Sequence, residues 1–230
     1  MVTAKSNLQF RTATPEDAPA IEQLVQSAFR AADIRQDWTA DMELNIRFRI
    51  EVDEVMPRIT NPDSAIVMAF ARGDGGKELL VASLEVTKRS DELARLSMLA
   101  VDQHHQRGGI GREILSYAEA YCQKTWGVTK FGLDALSTRE ALIAWYIRRG
   151  YQKTGDTAPF PVDRFSDLAL PADLCFVQLE KDLGEASVEP GYNEPEAFQL
   201  NALQFHIKVI QADISGNTEH AFCRYSQVLL

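Results

Sequence analysis

A glycine-rich turn between a strand and a helix is the feature of this sequence that most restricts its fold. The apolar run Leu93–Val101 predicts a central strand covered on both faces, and an amphipathic helix is predicted from Ile110 to about Trp126. Between them stand the glycines Gly108, Gly109 and Gly111. The first N–H groups of a helix lack intrahelical partners and lie at the positive end of its dipole. The turn therefore predicts an α/β fold with an anion site at this point.

Two common phosphate-binding motifs do not fit this turn. The dinucleotide fingerprint requires a third glycine where Ile114 stands, and the P-loop ends in Gly-Lys-Ser or Gly-Lys-Thr, neither of which occurs. Arg107 and Arg112 add positive charge beside the glycines. A tight turn selected only for packing is the alternative that these residues by themselves leave open.

The segments on either side predict the other elements of one α/β body. A strand over Leu8–Ala13 precedes a helix that begins near Thr14, whose hydroxyl can cap it and which Pro15 follows. A weaker helical pattern runs from about Trp38 to Val55, and Pro57 is expected to end it. A hairpin is predicted over 65–71 and 79–86, and a further strand over 131–136. A helix is predicted over 139–149, and two closing strands over 151–154 and 174–179.

The chain divides into a body and a C-terminal extension. Residues 1–183 are predicted to form one domain. Residues 184–196 contain prolines and acids, which is typical of a linker, and the alternating residues 203–209 then predict a strand that a hairpin could complete. The extension could add strands, mediate a homodimer or cover the functional site.

Composition excludes several classes of partner. The 24 Lys and Arg residues against 33 Asp and Glu give a net charge of −9, which repels nucleic acid. Three distant cysteines and four histidines form no disulfide framework and no metal-ligand spacing, so no metal is expected. No apolar run approaches the roughly 18 residues of a membrane span, and residues 1–7 lack a signal-peptide pattern. We therefore expect a cytoplasmic protein.

Two motifs in sequence order resemble those of the GNAT superfamily of acyl-CoA N-acyltransferases. The run Gln106-Arg107-Gly108-Gly109-Ile110-Gly111 is similar to its Arg/Gln-x-x-Gly-x-Gly/Ala motif. The run Trp145-Tyr146-Ile147-Arg148-Arg149-Gly150-Tyr151 is similar to its helix that ends in Tyr-x-x-x-Gly. The resemblance covers about residues 7–183 and is greatest to small, stand-alone N-acetyltransferases. It implies a mixed, mostly antiparallel sheet, splayed between the fourth and fifth strands and flanked by helices.

The resemblance also implies a site for acetyl-CoA. Its pantetheine arm would lie along the fourth strand at Leu99, Ala100 and Val101, and a backbone N–H near Leu99 or Ala100 would stabilise the oxyanion. Arg139 stands where the family often has Asn, and it could either reach a CoA phosphate or only cap a surface. The diphosphate would rest on the turn formed by Gln106, Arg107, Gly108, Gly109, Ile110, Gly111 and Arg112.

By the same resemblance Tyr146 is the catalytic acid. A phenol with a pKa of about 10 can donate to the departing thiolate, whose parent thiol has a pKa near 8.5. The usual base is missing, because Ser97 stands in the region of the fourth strand where many relatives carry Glu. Glu85, Asp91 or Glu92 could act through water, although each is more typical of a solvated surface carboxylate.

The predicted function is acetyl transfer from acetyl-CoA to a primary amine of a small molecule or peptide, directly within a ternary complex. The alternatives are a non-catalytic acyl-CoA-binding regulatory module and an unrelated nucleotide-binding α/β enzyme. The acceptor is expected to enter between the first two helices and the loop Thr157–Asp167. Aromatic residues could wall its path and acids could attract a cation there, namely Trp38, Phe160, Phe165, Asp163 and Asp167.

Overall fold

The described part of the chain contains seven strands and five α-helices. The computed structural model describes residues 8–31, 42–73, 76–106 and 108–184. The helices are α1 (Ala18–Arg30), α2 (Met42–Arg47), α3 (Val52–Thr60), α4 (Ile110–Trp126) and α5 (Glu140–Ile147). The strands are β1 (Gln9–Thr12), β2 (Ser64–Arg72), β3 (Glu78–Lys88), β4 (Leu93–Val101), β5 (Lys130–Leu136), β6 (Gln152–Pro159) and β7 (Cys175–Asp182).

All seven strands belong to one sheet. Their order is β1-β2-β3-β4-β5-β7-β6, and every neighbouring pair is antiparallel except β4 and β5. One apolar cluster joins α4 and α5 to the sheet, and a second joins α1 and α3 to it. The predicted fold class, a mostly antiparallel mixed sheet flanked by helices, is confirmed.

The sheet opens between β4 and β5. These strands are in register only from Leu93 to Arg95, opposite Lys130 to Gly132. β4 then continues to Val101 and β5 to Leu136 without pairing with each other. β4 stays paired with β3 up to Val101, and β5 stays paired with β7 throughout. We call this unpaired gap the β4–β5 seam, and it is the predicted splay.

A bulge in β4 changes which residues face each helical layer. Met98 has a φ of 48°, and the β3–β4 register is irregular between Ser83 and Glu85. Before the bulge, Leu96 packs in the cluster of α4 and α5. After it, Met98 and Ala100 pack in the cluster of α1 and α3. The extra residue in one strand causes this exchange of faces, and it confirms that β4 is covered on both sides.

Local signals fixed α4 and α5 well. α4 has the predicted bounds, and Gly127, with a φ of 70°, follows its last residue. α5 ends at Ile147 rather than at 149, and Gly150 follows with a φ of 90°. Glycine adopts these left-handed positions without the strain of a Cβ atom, so both helices end where predicted to within two residues.

The predicted helix before the hairpin is wrong in detail. Two helices are present, α2 and α3, and Pro57 lies inside α3 instead of ending the helical stretch. Proline removes one intrahelical N–H bond, but Val55 is fully buried and Arg58 forms an ion pair with Glu85, which holds the next turn. Residues 32–41, including Trp38, lie outside the described residues.

The closing strands are longer than predicted. β6 extends to Pro159, with Ala158 opposite Phe176 and Pro159 opposite Cys175, so these two residues are not in the loop where they were expected. β6 is the edge of the sheet, where a missing proline N–H is tolerated. β7 ends at Asp182. The predicted linker and hairpin of the extension, beyond Gly184, lie outside the described residues, and the division at 183 stays a prediction.

Candidate active site

The start of α4 presents backbone donors. Gly109 is the N-cap residue, with a φ of 86°. Its carbonyl accepts the amides of Arg112 and Glu113 at 3.0 and 3.1 Å. Among the described residues, the amides of residues 108–111 donate no hydrogen bond, whereas the predicted donor Arg112 is already used by the helix. The predicted site residue Arg107 lies outside the described residues.

Positive charge is concentrated beside these amides. The guanidinium of Arg149 lies 4.1 Å from the ring centre of Trp145, and its Nη1 donates to the Trp145 carbonyl at 3.2 Å. Burial, together with the charges of Arg148 and Arg112, lowers the pKa of Arg149. A Cβ atom on Gly111 would lie 3.6 Å from the Trp145 ring, so α5 packs closely against the first turn of α4. Three arginines therefore lie near one another beside this turn, although the whole chain is acidic.

A cavity lies in the β4–β5 seam. Residues from β3, β4, α4, β5 and α5 line it, namely Leu84, Leu96, Ser97, Leu99, Leu115, Leu133, Asp134 and Tyr146. Five of the eight lining residues are leucines, and Ser97, Asp134 and Tyr146 are the polar ones. The cavity therefore brings together the predicted pantetheine contact Leu99 and the predicted acid Tyr146.

Tyr146 is held in the wall of this cavity. It is buried, and its ring contacts those of Trp145 and Tyr151 edge-on, with centroids 4.9 and 5.7 Å apart. Burial raises the pKa of Tyr146 to about 12, and the nearby charge of Arg139 partly opposes this rise. The phenol is therefore protonated at neutral pH and available as a hydrogen-bond donor. Arg139, at the N-cap of α5, lies near Tyr146.

A buried polar network supports the ring beside Tyr146. The Tyr151 hydroxyl donates to Glu119 Oε1 at 2.8 Å, and Lys181 Nζ donates to Glu119 Oε2 at 2.7 Å. Desolvation, with the negative charge of Glu119 next, raises the pKa of Tyr151 well above its ordinary value. Desolvation also raises the pKa of the neighbouring Cys122 to about 12, so this thiol is not a nucleophile at neutral pH.

Glu85 is not the solvated carboxylate that the sequence predicted. It is only 2% exposed, forms an ion pair with Arg58 at 2.7 Å, and accepts a hydrogen bond from Ser97 Oγ at 2.7 Å. Asp91 and Glu92 do lie at the surface, where each pairs with a lysine. The surface interpretation is therefore correct for Asp91 and Glu92 and wrong for Glu85.

Asp134 is a cavity residue that the sequence analysis did not select. Its Oδ2 pairs with Arg95 of β4, whereas its Oδ1 is buried and has no hydrogen-bond partner among the described residues. Phe131, Leu133 and Ala135 of the same strand are buried in the core. A carboxylate within such an apolar strand was the available signal, because an acid there needs a partner or a function.

These features agree with the family comparison. The Acetyltransferase (GNAT) family model matches residues 21–151, which is more than half of the chain. The chain belongs to the GNAT acetyltransferase family. The matched range contains both motifs, the β4–β5 seam and every predicted site residue. No curated protein matches the sequence.

Solved structures share this GNAT fold at low sequence identity. The ribosomal-protein-S18-alanine N-acetyltransferase of Escherichia coli is 17% identical with a TM-score of 0.55, and the alignment covers 80% of this chain and 99% of that one. The PaiA N-acetyltransferase of Thermoplasma acidophilum, in complex with coenzyme A, is 16% identical with a TM-score of 0.52, and the alignment covers 76% of this chain and 98% of that one. The yncA protein of Salmonella typhimurium, a putative acetyltransferase solved with acetyl-CoA, is 16% identical with a TM-score of 0.55, and the alignment covers 80% of this chain and 98% of that one.

The loop between β4 and α4 of this GNAT protein is ordered by a histidine and an acid. His105 Nδ1 lies 2.9 Å from Asp102 Oδ1, which also accepts the amide of His104 at 2.9 Å. Burial of Asp102 opposes ionisation, but these hydrogen bonds outweigh it and lower the pKa of Asp102. The contact between His105 and Asp102 thus lies within the part of this loop that precedes the glycines.

The side expected to admit the acceptor is partly defined. Phe160 and Phe165 stack with centroids 5.4 Å apart, and they belong to a cluster that joins α2 to the loop before β7. Asp167, one candidate for attracting a cation, is paired with Arg47 at 2.5 Å. No helix in the described ranges is both long and apolar enough to cross a bilayer, and those ranges contain no group of three potential metal ligands.

Proposed function

We propose that this protein transfers an acetyl group from acetyl-CoA to a primary amine of a small molecule or peptide, directly within a ternary complex. The observation that carries the proposal is the position of Tyr146, buried in the wall of the β4–β5 seam. The amides of residues 108–111, which have no partner among the described residues, follow the end of the same strand, β4. A thioester carrier with an anionic head needs both features side by side.

The residues present fit acetyl-CoA. From Leu96 to Val101 the backbone of β4 pairs with β3 on one edge and with no described strand on the other, so a pantetheine amide can hydrogen-bond along that second edge at Leu99, Ala100 and Val101. The amides of 108–111 and the cluster of Arg112, Arg148 and Arg149 suit its phosphates. Two structures with the same fold contain coenzyme A or acetyl-CoA. Bound there, acetyl-CoA would supply an activated acyl thioester.

Different groups of the β4–β5 seam would stabilise the oxyanion and the departing sulfur. A backbone N–H at Leu99 or Ala100 would donate to the carbonyl oxygen as negative charge develops on it. The Tyr146 hydroxyl would donate to the departing sulfur. Because the pKa of Tyr146 is about 12, full proton transfer to a thiolate is uphill. Tyr146 therefore contributes chiefly as a hydrogen-bond donor, which the positive charge of Arg139 strengthens.

One observation favours the second candidate, a non-catalytic acyl-CoA-binding module. Ser97 stands where many relatives carry a glutamate, and the nearest carboxylate behind it, Glu85, is already ion-paired with Arg58. The two candidates share the cofactor site and differ only in turnover.

The experiment that separates them is turnover of acetyl-CoA with a panel of primary amines, followed by thiol release and mass spectrometry. We expect acetylation, and a fall in kcat of about 100-fold or more for Tyr146→Phe with an unchanged Kd for acetyl-CoA. Tyr117→Phe is the matched control, because Tyr117 is a partly buried tyrosine that stacks on Phe10 outside the seam. Binding without turnover, or turnover that Tyr146→Phe leaves unchanged, would contradict the proposal.

A further inference from the structure

The β4–β5 seam has two faces, and the side chains of Tyr146 and Leu99 both lie on one of them. Leu133 and Ala135 of β5 pack in the cluster that contains Tyr146, and side chains alternate along a strand. Asp134 therefore points to the opposite face, as does Leu136, which packs with Leu44 of α2. This is the face from which the acceptor is expected to enter.

Asp134 stands where β4 and β5 separate. Arg95 and Gly132 form the last pair in register, and the carboxylate of Asp134 reaches across the opening gap to Arg95. That pair occupies Oδ2 only, and the buried Oδ1 is left without a described partner while the residue lines the cavity. A buried carboxylate oxygen without a donor is costly, which indicates that a group absent from the chain itself completes it.

The two carboxylates on this face differ in their capacity to take a ligand. Glu85 is 2% exposed, and its Oε2 accepts from both Arg58 and Ser97. The side chain of Asp134 is 20% exposed, lines the cavity, and has a buried Oδ1 without a described partner. Asp134 is therefore the carboxylate on this face whose remaining oxygen a cationic amine in the cavity would complete.

We propose that Asp134 binds the ammonium group of the acceptor and takes a proton from it, which makes it the base missing from β4. The inference rests on the proposed function. An N–H proton of the ammonium passes to Oδ1 of Asp134, and the freed lone pair forms the bond to the thioester carbon. The carbon–sulfur bond breaks, and the departing thiolate accepts a hydrogen bond from the Tyr146 hydroxyl. The second nitrogen proton, released as the amide forms, passes to the thiolate, and the proton on Asp134 leaves to water.

Other charged groups on this face set the conditions for Asp134. Arg95 holds one of its oxygens, and Glu180 of β7 lies on the far side of Gly132, near the Arg95 guanidinium. Arg58 of α3 pairs with Glu85 of β3, and Arg47 of α2 pairs with Asp167. The charges of these two carboxylates are therefore already balanced by arginines. Oδ1 of Asp134, which has no partner in the described ranges, is thus the acceptor that these pairs leave for the substrate.

The test is the kinetics of Asp134→Asn in the full chain with the best amine found in the panel. We expect kcat/KM at pH 7 to fall by about 100-fold or more, with the Kd for acetyl-CoA within twofold of wild type. Raising the pH to 10 should recover much of that loss, because the amine is then deprotonated in solution. A structural role would not produce such recovery.

The double variant Arg95→Gln, Asp134→Asn separates chemistry from the ion pair. It removes both charges, so it should fold even if the single variant does not. A folded double variant that is as inactive as Asp134→Asn supports the proposal. A double or single variant with near wild-type kcat/KM overturns it and leaves the proposed function intact. Wild-type protein that binds acetyl-CoA but acetylates no amine overturns both.

Discussion

The two edges of β4 are used in different ways. One edge pairs with β3 from Ala94 to Val101, interrupted only by the bulge, whereas the other pairs with β5 for three residues and beyond them with no strand in the described part of the chain. The backbone hydrogen bonds of the first edge hold the strand in place. The second edge is kept open by the divergence of β5, which β7 holds on its far side. A rigid strand with one free edge can bind an extended ligand as an added strand.

The same contrast appears in the two ion pairs beside the seam. Arg58 and Glu85 are both buried, and the carboxylate is shared with Ser97. Arg95 and Asp134 are each about one-fifth exposed, and one carboxylate oxygen has no described partner. We infer that the first pair serves mainly stability, whereas the second is arranged for a ligand.

Breaking the buried Arg58–Glu85 ion pair should have the largest effect on stability. Glu85→Gln leaves the Arg58 charge buried without its counter-ion, and we expect a loss of about 3–5 kcal/mol in the free energy of unfolding. Asp134→Asn should cost far less, because that pair is closer to water. Urea denaturation of the two variants measures both values. Equal destabilisation would contradict the contrast between the pairs.

The two glycines that cap α4 allow a predicted cofactor-binding position to be compared with a purely structural one. Gly109 and Gly127 cap opposite ends of this helix in left-handed conformations. Substitution of either by alanine should cost roughly 1–2 kcal/mol of stability. Only Gly109→Ala should also weaken acetyl-CoA binding, by about 10-fold, because it shifts the amides at the start of the helix. Calorimetric titration of both variants checks this, and equal affinities would argue against a diphosphate site at Gly109.

An exposed pair gives the smallest expected effect. Asp17 accepts from Arg11 at 2.6 Å, and this bond, against the opposing effect of burial, lowers the pKa of Asp17 to about 2. Its contribution to stability is therefore complete above about pH 4 and is lost as the pH falls towards 2. Since Arg11 is 44% exposed, we expect about 1 kcal/mol or less. The difference between wild type and Asp17→Asn in acid-unfolding curves measures it, and a difference that persists unchanged at pH 2 would contradict the assignment.

Features with a local cause could be predicted from the sequence. The glycine turn, α4, the end of α5 and the β2–β3 hairpin depend on residues that are neighbours in the chain. The two motifs then identified the family, and their resemblance predicted the cofactor residues and the role of Tyr146, which stay predictions. Pro57 was misjudged because the turn that follows it is held by Arg58, whose partner Glu85 is 27 residues away.

The proposed base, Asp134, could not be predicted for the same reason. Whether a carboxylate is solvated or buried depends on tertiary partners, and Glu85 and Asp134 find theirs across strands. The open seam itself also depends on the divergence of β4 and β5, which no single segment encodes. Only the apolar residues around Asp134 offered a local hint.

Hydrogen–deuterium exchange with and without acetyl-CoA tests the central claim, that the free edge of β4 and the start of α4 hold the cofactor. We predict that acetyl-CoA slows exchange at amides of residues 96–101 and 108–111, while exchange in Ser64–Arg72 of β2 stays unchanged. Protection confined to other segments, or no protection under conditions where calorimetry shows saturation, would contradict the account.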